Sequence, residues 1–378
     1  MIYLDNAATT CIKPYSVINA VKNELLYSAN PGRSSHKLSI KSFNNIYKAR
    51  ELLCELFKVN KPENFVLTPN ATYALNYAIK GILKSYDHVI ITSMEHNSVI
   101  RPVYNIPNIS VTVVIGDKYG YINPENIKNN IKSNTALIII NHSSNVNGIV
   151  QNIKEISKIA KLNNIPILID ASQSAGILDI NAINYDMIAF PGHKSLYGPQ
   201  GTGGLYINSN INLNTIIEGG TGNNSKSKNN PLELPERLES GTLNTPGFCG
   251  LSEGIKFVLK ETTNGIKEYE HSLLQLLINK IKNLNGITLY SPDDINLISN
   301  SVSFNINNLD STLVADIFDK EYNICVRPGY HCAYPAHENL GSEKSGSVRI
   351  SVSYFNTKSE IDKLIDAIYY ITKNVSTI

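Results

Sequence analysis

Short apolar runs alternate along the chain with longer segments in which apolar positions recur at helical spacing. The apolar runs, such as 136–140, span only a few residues, the length of buried strands. On this pattern the sequence predicts strands at 65–67, 88–92, 111–115, 136–140, 167–170, 186–190 and 203–207. Helices are predicted at 14–28, 39–57, 73–83, 97–104, 124–132 and 154–162. The strand–helix alternation implies a mostly parallel, doubly wound α/β sheet. In such sheets ligands sit beyond the carboxyl ends of the strands.

The pattern then changes. Residues 208–235 are polar and rich in Gly and Asn, a long loop. Helices at 248–261 and 267–284 follow, then strands at 287–290 and 302–305 and a helix at 311–318. Strands at 324–327 and 348–352 and a helix at 358–372 complete a smaller α+β C-terminal domain. The expected division is a large domain over 15–250 and a small one over 1–14 with 251–378.

A length of 378 residues suits a large domain plus a smaller one, and 42% hydrophobic residues supply a substantial core. The net charge of +2 suggests neither a nucleic-acid footprint nor an acidic tail. The first ten residues carry no basic segment followed by an apolar run, and no window approaches a membrane span. The five cysteines are scattered, with no CxxC, which argues against a disulfide framework and against a metal site. A cytoplasmic protein is expected.

Candidate chemistry centres on 189–206, AFPGHKSLYGPQGTGGLY. Lys194 follows a buried strand, and the glycines after it allow backbone to approach a bulky ligand. Such a lysine is suited to a Schiff base with a carbonyl cofactor; a surface lysine in a loop is the plainer alternative. Asp170 ends a strand, where its carboxylate can pair with a protonated pyridine nitrogen or simply cap the next segment. Gln173 and Asn145 are turn amides able to reach a ring oxygen. Ala71 and Thr72 open a helix after a strand, a setting that binds phosphate. His96 ends another strand and can stack on a ring or serve structure alone. Cys332 lies among turn formers beside His331 and near Arg327, and positive neighbours favour a thiolate nucleophile. His331, Cys332 and His337 match no usual metal spacing. Arg349, inside a strand-like run, needs an anion: a substrate carboxylate or a structural acid.

Together these pieces resemble the cysteine desulfurases of the class V aminotransferase family. The resemblance runs from Tyr3-Leu4-Asp5-Asn6-Ala7-Ala8-Thr9-Thr10 through Glu95-His96, Asp170-x-x-Gln173, Gly192-His193-Lys194 and Gly241-Thr242 to Gly329-Tyr330-His331-Cys332-Ala333 and Arg349. It implies a fold-type-I pyridoxal-phosphate transferase with a mainly parallel seven-stranded sheet. It also implies a homodimer with sites at the interface, L-cysteine as substrate, a protein sulfur acceptor and a place in iron–sulfur cluster assembly. Lys194 would bond the cofactor, Asp170 pair with its ring nitrogen, Gln173 meet the ring oxygen, and His96 stack on the ring. Thr72 and His193 would hold the phosphate, helped by Thr242 of a second subunit. Asn145 and Arg349 would bind the substrate, and Cys332 would accept sulfur. The short span from Cys332 to Arg349 is similar to that of the SufS-like group. Pro191 departs from the Ser or Thr usual in the family, which removes one phosphate hydrogen bond worth about 1 kcal/mol. A selenocysteine lyase, another class V enzyme, or a non-catalytic assembly partner are the alternatives.

Overall fold

The structure, a computed structural model, describes residues 1–32, 34–223 and 225–375. After a short first strand, β1 (Ile2–Tyr3), the chain builds β2 (Phe65–Thr68), β3 (His88–Thr92), β4 (Ser110–Val114), β5 (Thr135–Asn141), β6 (Ile167–Asp170), β7 (Met187–Pro191) and β8 (Gly203–Ile207). These seven later strands form one sheet in the order β2-β8-β7-β6-β5-β3-β4. The pairs from β4 through β3, β5 and β6 to β7 are parallel, and β8 runs antiparallel to β7 and β2. This is the mainly parallel α/β architecture the sequence predicts.

Side-chain alternation sends Ile90, Ile138, Ile140, Ile169, Ile188 and Phe190 to one face, under helices Lys37–Phe57, Ile153–Leu162 and Thr245–Glu261. Val89, Ile91, Leu137, Ile139, Leu168 and Met187 face the other side, against helices Ala71–Ile82 and Asn97–Tyr104. Both faces are buried, so the strands read as unbroken apolar runs rather than alternating ones.

A second core gathers β9 (Ile287–Leu289), β10 (Ser301–Ile306), β11 (Ile324–Cys325) and β12 (Val348–Ser351) with helices Thr263–Ile281, Ser311–Tyr322 and Lys358–Lys373. β10 lies between β9 and β12, antiparallel to both, and β1 pairs parallel with β11. Ile2 and Leu4 bury in this second core, so the first residues of the chain pack with its last third. Thr262, at a positive φ of 64°, breaks helix Thr245–Glu261 from helix Thr263–Ile281, and the chain passes between the cores within the latter, whose Ile266 packs in the first core and Leu273 in the second.

Two predicted elements shorten, and one helix forms where none is predicted. The helix expected over 124–132 closes at Asn129, where the Asn130 side chain donates to the Asn126 carbonyl. The strand expected over 324–327 ends at Cys325; Arg327 only bridges to Arg349 before Pro328. A helix, Tyr334–Leu340, forms where the sequence reads as turn formers, because Pro335 sits in its first turn and Gly341 ends it at φ 72°.

Candidate active site

Four neighbouring strand ends deliver side chains to one edge of the sheet. Asn141 ends β5 and Asp170 ends β6, and the two are register partners; β7 leads directly into His193 and Lys194. His96 follows β3 and caps helix Asn97–Tyr104.

Lys194 lies in a turn that is clamped from several sides. Gly192 accepts from the Gly198 N–H and donates to the Thr202 carbonyl, both at 2.8 Å. A Cβ on Gly192 would stand 2.2 Å from Thr202 Oγ1, so the close approach requires glycine there. The N-terminal segment holds the other side. Lys13 Nζ donates to the His193 carbonyl at 2.9 Å, and the Thr10 hydroxyl donates to the Lys194 carbonyl at 3.2 Å. Lys194 is half-buried as a residue. Burial lowers its pKa to about 8; Asp170 opposes that shift, and Arg349 and Arg327 add to it.

The groups around Lys194 are partly satisfied and partly waiting. Asp170 accepts from the Ser172 N–H at 2.9 Å, while burial pushes its carboxyl upward against Ser172 and Lys194. Gln173 donates from Nε2 to the Ala7 carbonyl at 3.0 Å, and Asn145 donates from Nδ2 to the His331 carbonyl at 2.6 Å. Among the described residues Gln173 Oε1, Asn145 Oδ1 and His193 Nδ1 are buried without a partner. His96 Nδ1 accepts from the Ser98 N–H at 3.0 Å, which leaves the ring proton on Nε2. Burial, reinforced by Lys194 and three arginines, lowers its pKa to about 4, so the ring is neutral at physiological pH. Burial and the neighbouring lysines also take His193 to about 4.

Helix Ala71–Ile82 points its start at the same place. Asn70 caps the Tyr73 N–H at 3.1 Å, so the free amides of Ala71 and Thr72 face the open end. Thr72 Oγ1 lies 2.8 Å from Ser98 Oγ. Ala71, Thr72, His96, Asn145, Asp170, Gln173, His193 and Lys194 line one pocket together with Pro191.

Three expected residues lie outside it. Arg349 is buried in β12, where Nη2 pairs with Asp5 Oδ1 at 2.6 Å and Nη1 donates to the Asn145 carbonyl at 2.7 Å. Thr242 is exposed and does not line this pocket. Cys332 is exposed and lines a second pocket, which shares Thr72, His96 and Ser98 with the first.

The Cys332 loop is rigidly built. His331 and Cys332 take positive φ values of 51° and 58°, a conformation that side chains rarely adopt. The Cys332 carbonyl accepts from the Asn97 N–H at 2.8 Å, and Arg327 Nη2 lies 3.9 Å from its sulfur. Below the loop the tautomers are fixed by the partners. His331 Nε2 must donate to the Arg327 carbonyl at 3.1 Å, so its Nδ1 accepts from His337 Nε2 at 3.3 Å. His337 Nδ1 then accepts from the Ser342 hydroxyl at 2.7 Å.

Sequence reasoning missed Ser98 and Asn141, the pairing of His337 with His331 and the state of Glu95. Glu95 is fully buried; its Oε1 accepts from the Thr92 hydroxyl at 2.7 Å and the Asn141 N–H at 3.0 Å. Burial raises its pKa to about 8. Cys11 is exposed. Burial pushes the thiols of Cys54 and Cys249 up to about 11 and about 12, as inert cysteines require.

The aminotransferase class-V family model matches residues 2–364, and the chain belongs to this family. Within it, the chain is similar to proteins named as cysteine desulfurases. A probable cysteine desulfurase of Methanothermobacter thermautotrophicus is 35% identical over 96% of this chain and 92% of its own length. One from Borreliella burgdorferi is 33% identical over 100% and 93%. The apo structure of cysteine desulfurase from Thermococcus onnurineus aligns with a TM-score of 0.91 at 30% identity, covering 99% of this chain and 95% of that one. No helix of the described residues is long and apolar enough to cross a membrane.

Proposed function

We propose that the protein is a pyridoxal-phosphate-dependent cysteine desulfurase that removes sulfur from L-cysteine, releases L-alanine and carries the sulfur on Cys332. One observation carries this reading: the pocket that gathers Lys194, Asp170 and the helix end adjoins, through Thr72, His96 and Ser98, the pocket at Cys332.

The donor set fits the cofactor. Buried polar atoms without partners, Gln173 Oε1, Asn145 Oδ1 and His193 Nδ1, call for a polar ligand. The Ala71 and Thr72 amides, the Thr72 hydroxyl and His193 suit its phosphate, without a side-chain donor from Pro191. Asp170 suits its ring nitrogen, His96 its ring face, and Lys194 its aldehyde. When bound, the cofactor supplies an electron sink that weakens bonds at the substrate carbons.

The chain's own residues do the rest. A Lys194 amine with a pKa near 8 can take a proton from the substrate Cα and return one at physiological pH. Asp170 keeps its partner nitrogen charged. Arg349 and Asn145 orient the substrate carboxylate. The Cys332 thiolate attacks the substrate sulfur; an S–S bond forms as the C–S bond breaks, and the carbon left behind takes up a proton to give alanine. We also read the protein as a homodimer. An exposed Thr242 away from its own pocket suits a residue that serves a neighbour's site. The helix-braced loop between Cys332 and Arg349 supports a SufS-like assignment.

The test is to supply pyridoxal phosphate, L-cysteine and dithiothreitol to the purified protein. Alanine and sulfide are expected in equal amounts, and Lys194→Ala is expected to abolish both and the protein-bound cofactor colour. A coloured wild-type protein that forms no alanine overturns the reading.

A further inference from the structure

The Cys332 pocket is a groove between two helices, and its chemistry is one-sided. Thr72, Asn76 and Lys80 stand one turn apart along helix Ala71–Ile82, and Asn97, Arg101 and Asn105 form the facing row on and just past helix Asn97–Tyr104. The Thr72–Ser98 contact brings the two helix starts together, and the Asn97–Cys332 hydrogen bond puts the thiol at that end. Arg101 therefore lies about one helical turn, roughly 5 Å, along the groove from the thiol end, and Lys80 about two turns, roughly 11 Å. Both cations are exposed. Neither side chain has an ion-pair partner among the described residues, and no carboxylate lines the groove.

We infer that this groove receives the sulfur acceptor as an extended acidic peptide, with its cysteine at Cys332 and carboxylates at Arg101 and Lys80. The assignment rests on the desulfurase reading above and adds the acceptor's chemical class. An extended strand advances about 3.3 Å per residue, so the carboxylates fall about two to four residues from the acceptor cysteine. The opposite-charge contacts steer association and fix register. Transfer is balanced: the acceptor thiolate attacks the outer sulfur of the Cys332 persulfide, a new S–S bond forms on the acceptor, and the Cys332 thiolate leaves. No external oxidant or reductant is needed.

Three synthetic peptides test this, each with one cysteine and either two glutamates, two glutamines or two lysines placed two and four positions from it. Cofactor-loaded protein is first charged with L-cysteine, and persulfide on each peptide is then measured by mass. The glutamate peptide is expected to have a KM about ten-fold below that of the lysine peptide, a difference that added salt erodes. The double variant K80E/R101E is expected to reverse the order while its Cys332 charges with sulfur at the wild-type rate. If that variant is poorly folded, the salt dependence of the wild type decides. Equal KM values for the three peptides, or a glutamate preference that persists in K80E/R101E or in high salt, overturn the proposal. Failure of Cys332 to charge at all in the wild type sinks the desulfurase reading itself, and the groove assignment falls with it.

Discussion

Arg349 and Asp5 are joined by a 2.6 Å ion pair that ties β12 to the segment just after β1. Only Oδ1 of Asp5 is engaged, and Arg349 Nε is buried without a partner among the described residues. The guanidinium is thus pre-oriented by one acid and still has an N–H to offer a second. A lysine would keep the charge and lose the planar fork. Arg349→Lys is expected to raise KM for L-cysteine by about ten-fold or more with a smaller change in kcat, measured by alanine release. An unchanged KM would remove Arg349 from substrate binding.

The His331–His337 pair supports the reactive loop from below. Replacing His337 by Leu leaves the buried His331 Nδ1 without a donor, a loss of about 1–3 kcal/mol. The strained backbone at 331 and 332 then loses its brace. His337→Leu is expected to lower kcat about ten-fold while the cofactor spectrum stays unchanged. His337→Gln, which can still donate, should recover most of the loss. Equal rates for Leu and wild type would assign the pair to folding alone.

Glu95 gives the protein a pH signature. Its pKa rises from 4.5 to about 8 on folding, chiefly through burial. Between these values the folded state holds a proton that the unfolded state lacks. Its contribution is therefore fully present below the lower value and is lost as pH rises through about 8. Glu95→Gln removes that loss. Its Tm relative to wild type is expected to be higher at pH 8 than at pH 5, measured by calorimetry. A difference independent of pH would contradict a protonated Glu95.

The strand ends were legible because burial on both faces leaves the strands as plain apolar runs. These runs end at one edge of the sheet, which is why Asp170 at the end of β6 and Lys194 just after β7 could be placed at that edge from sequence. Relationships across the fold were not legible. Nothing local says that Asp5 meets Arg349, residues that join the two ends of the chain. His337 sits in a short helix hidden by Tyr334-Pro335 and Gly341, which read as turn residues. Glu95 looks like any acid beside a histidine, and its complete burial arises from packing beneath Asn141. The exposure of Cys11 depends likewise on packing that no local pattern encodes.

The central claim is that sulfur from L-cysteine comes to rest on one thiol. Both Cys11 and Cys332 are exposed, so the protein carries its own control. The decisive measurement is peptide mass analysis after cofactor-loaded protein meets L-cysteine without reductant and is then alkylated. One extra sulfur atom is predicted on the peptide containing Cys332 and none on that containing Cys11, with Cys332→Ala forming alanine at least about a hundred-fold more slowly. Extra sulfur on Cys11 instead, or wild-type alanine release by Cys332→Ala, would contradict it.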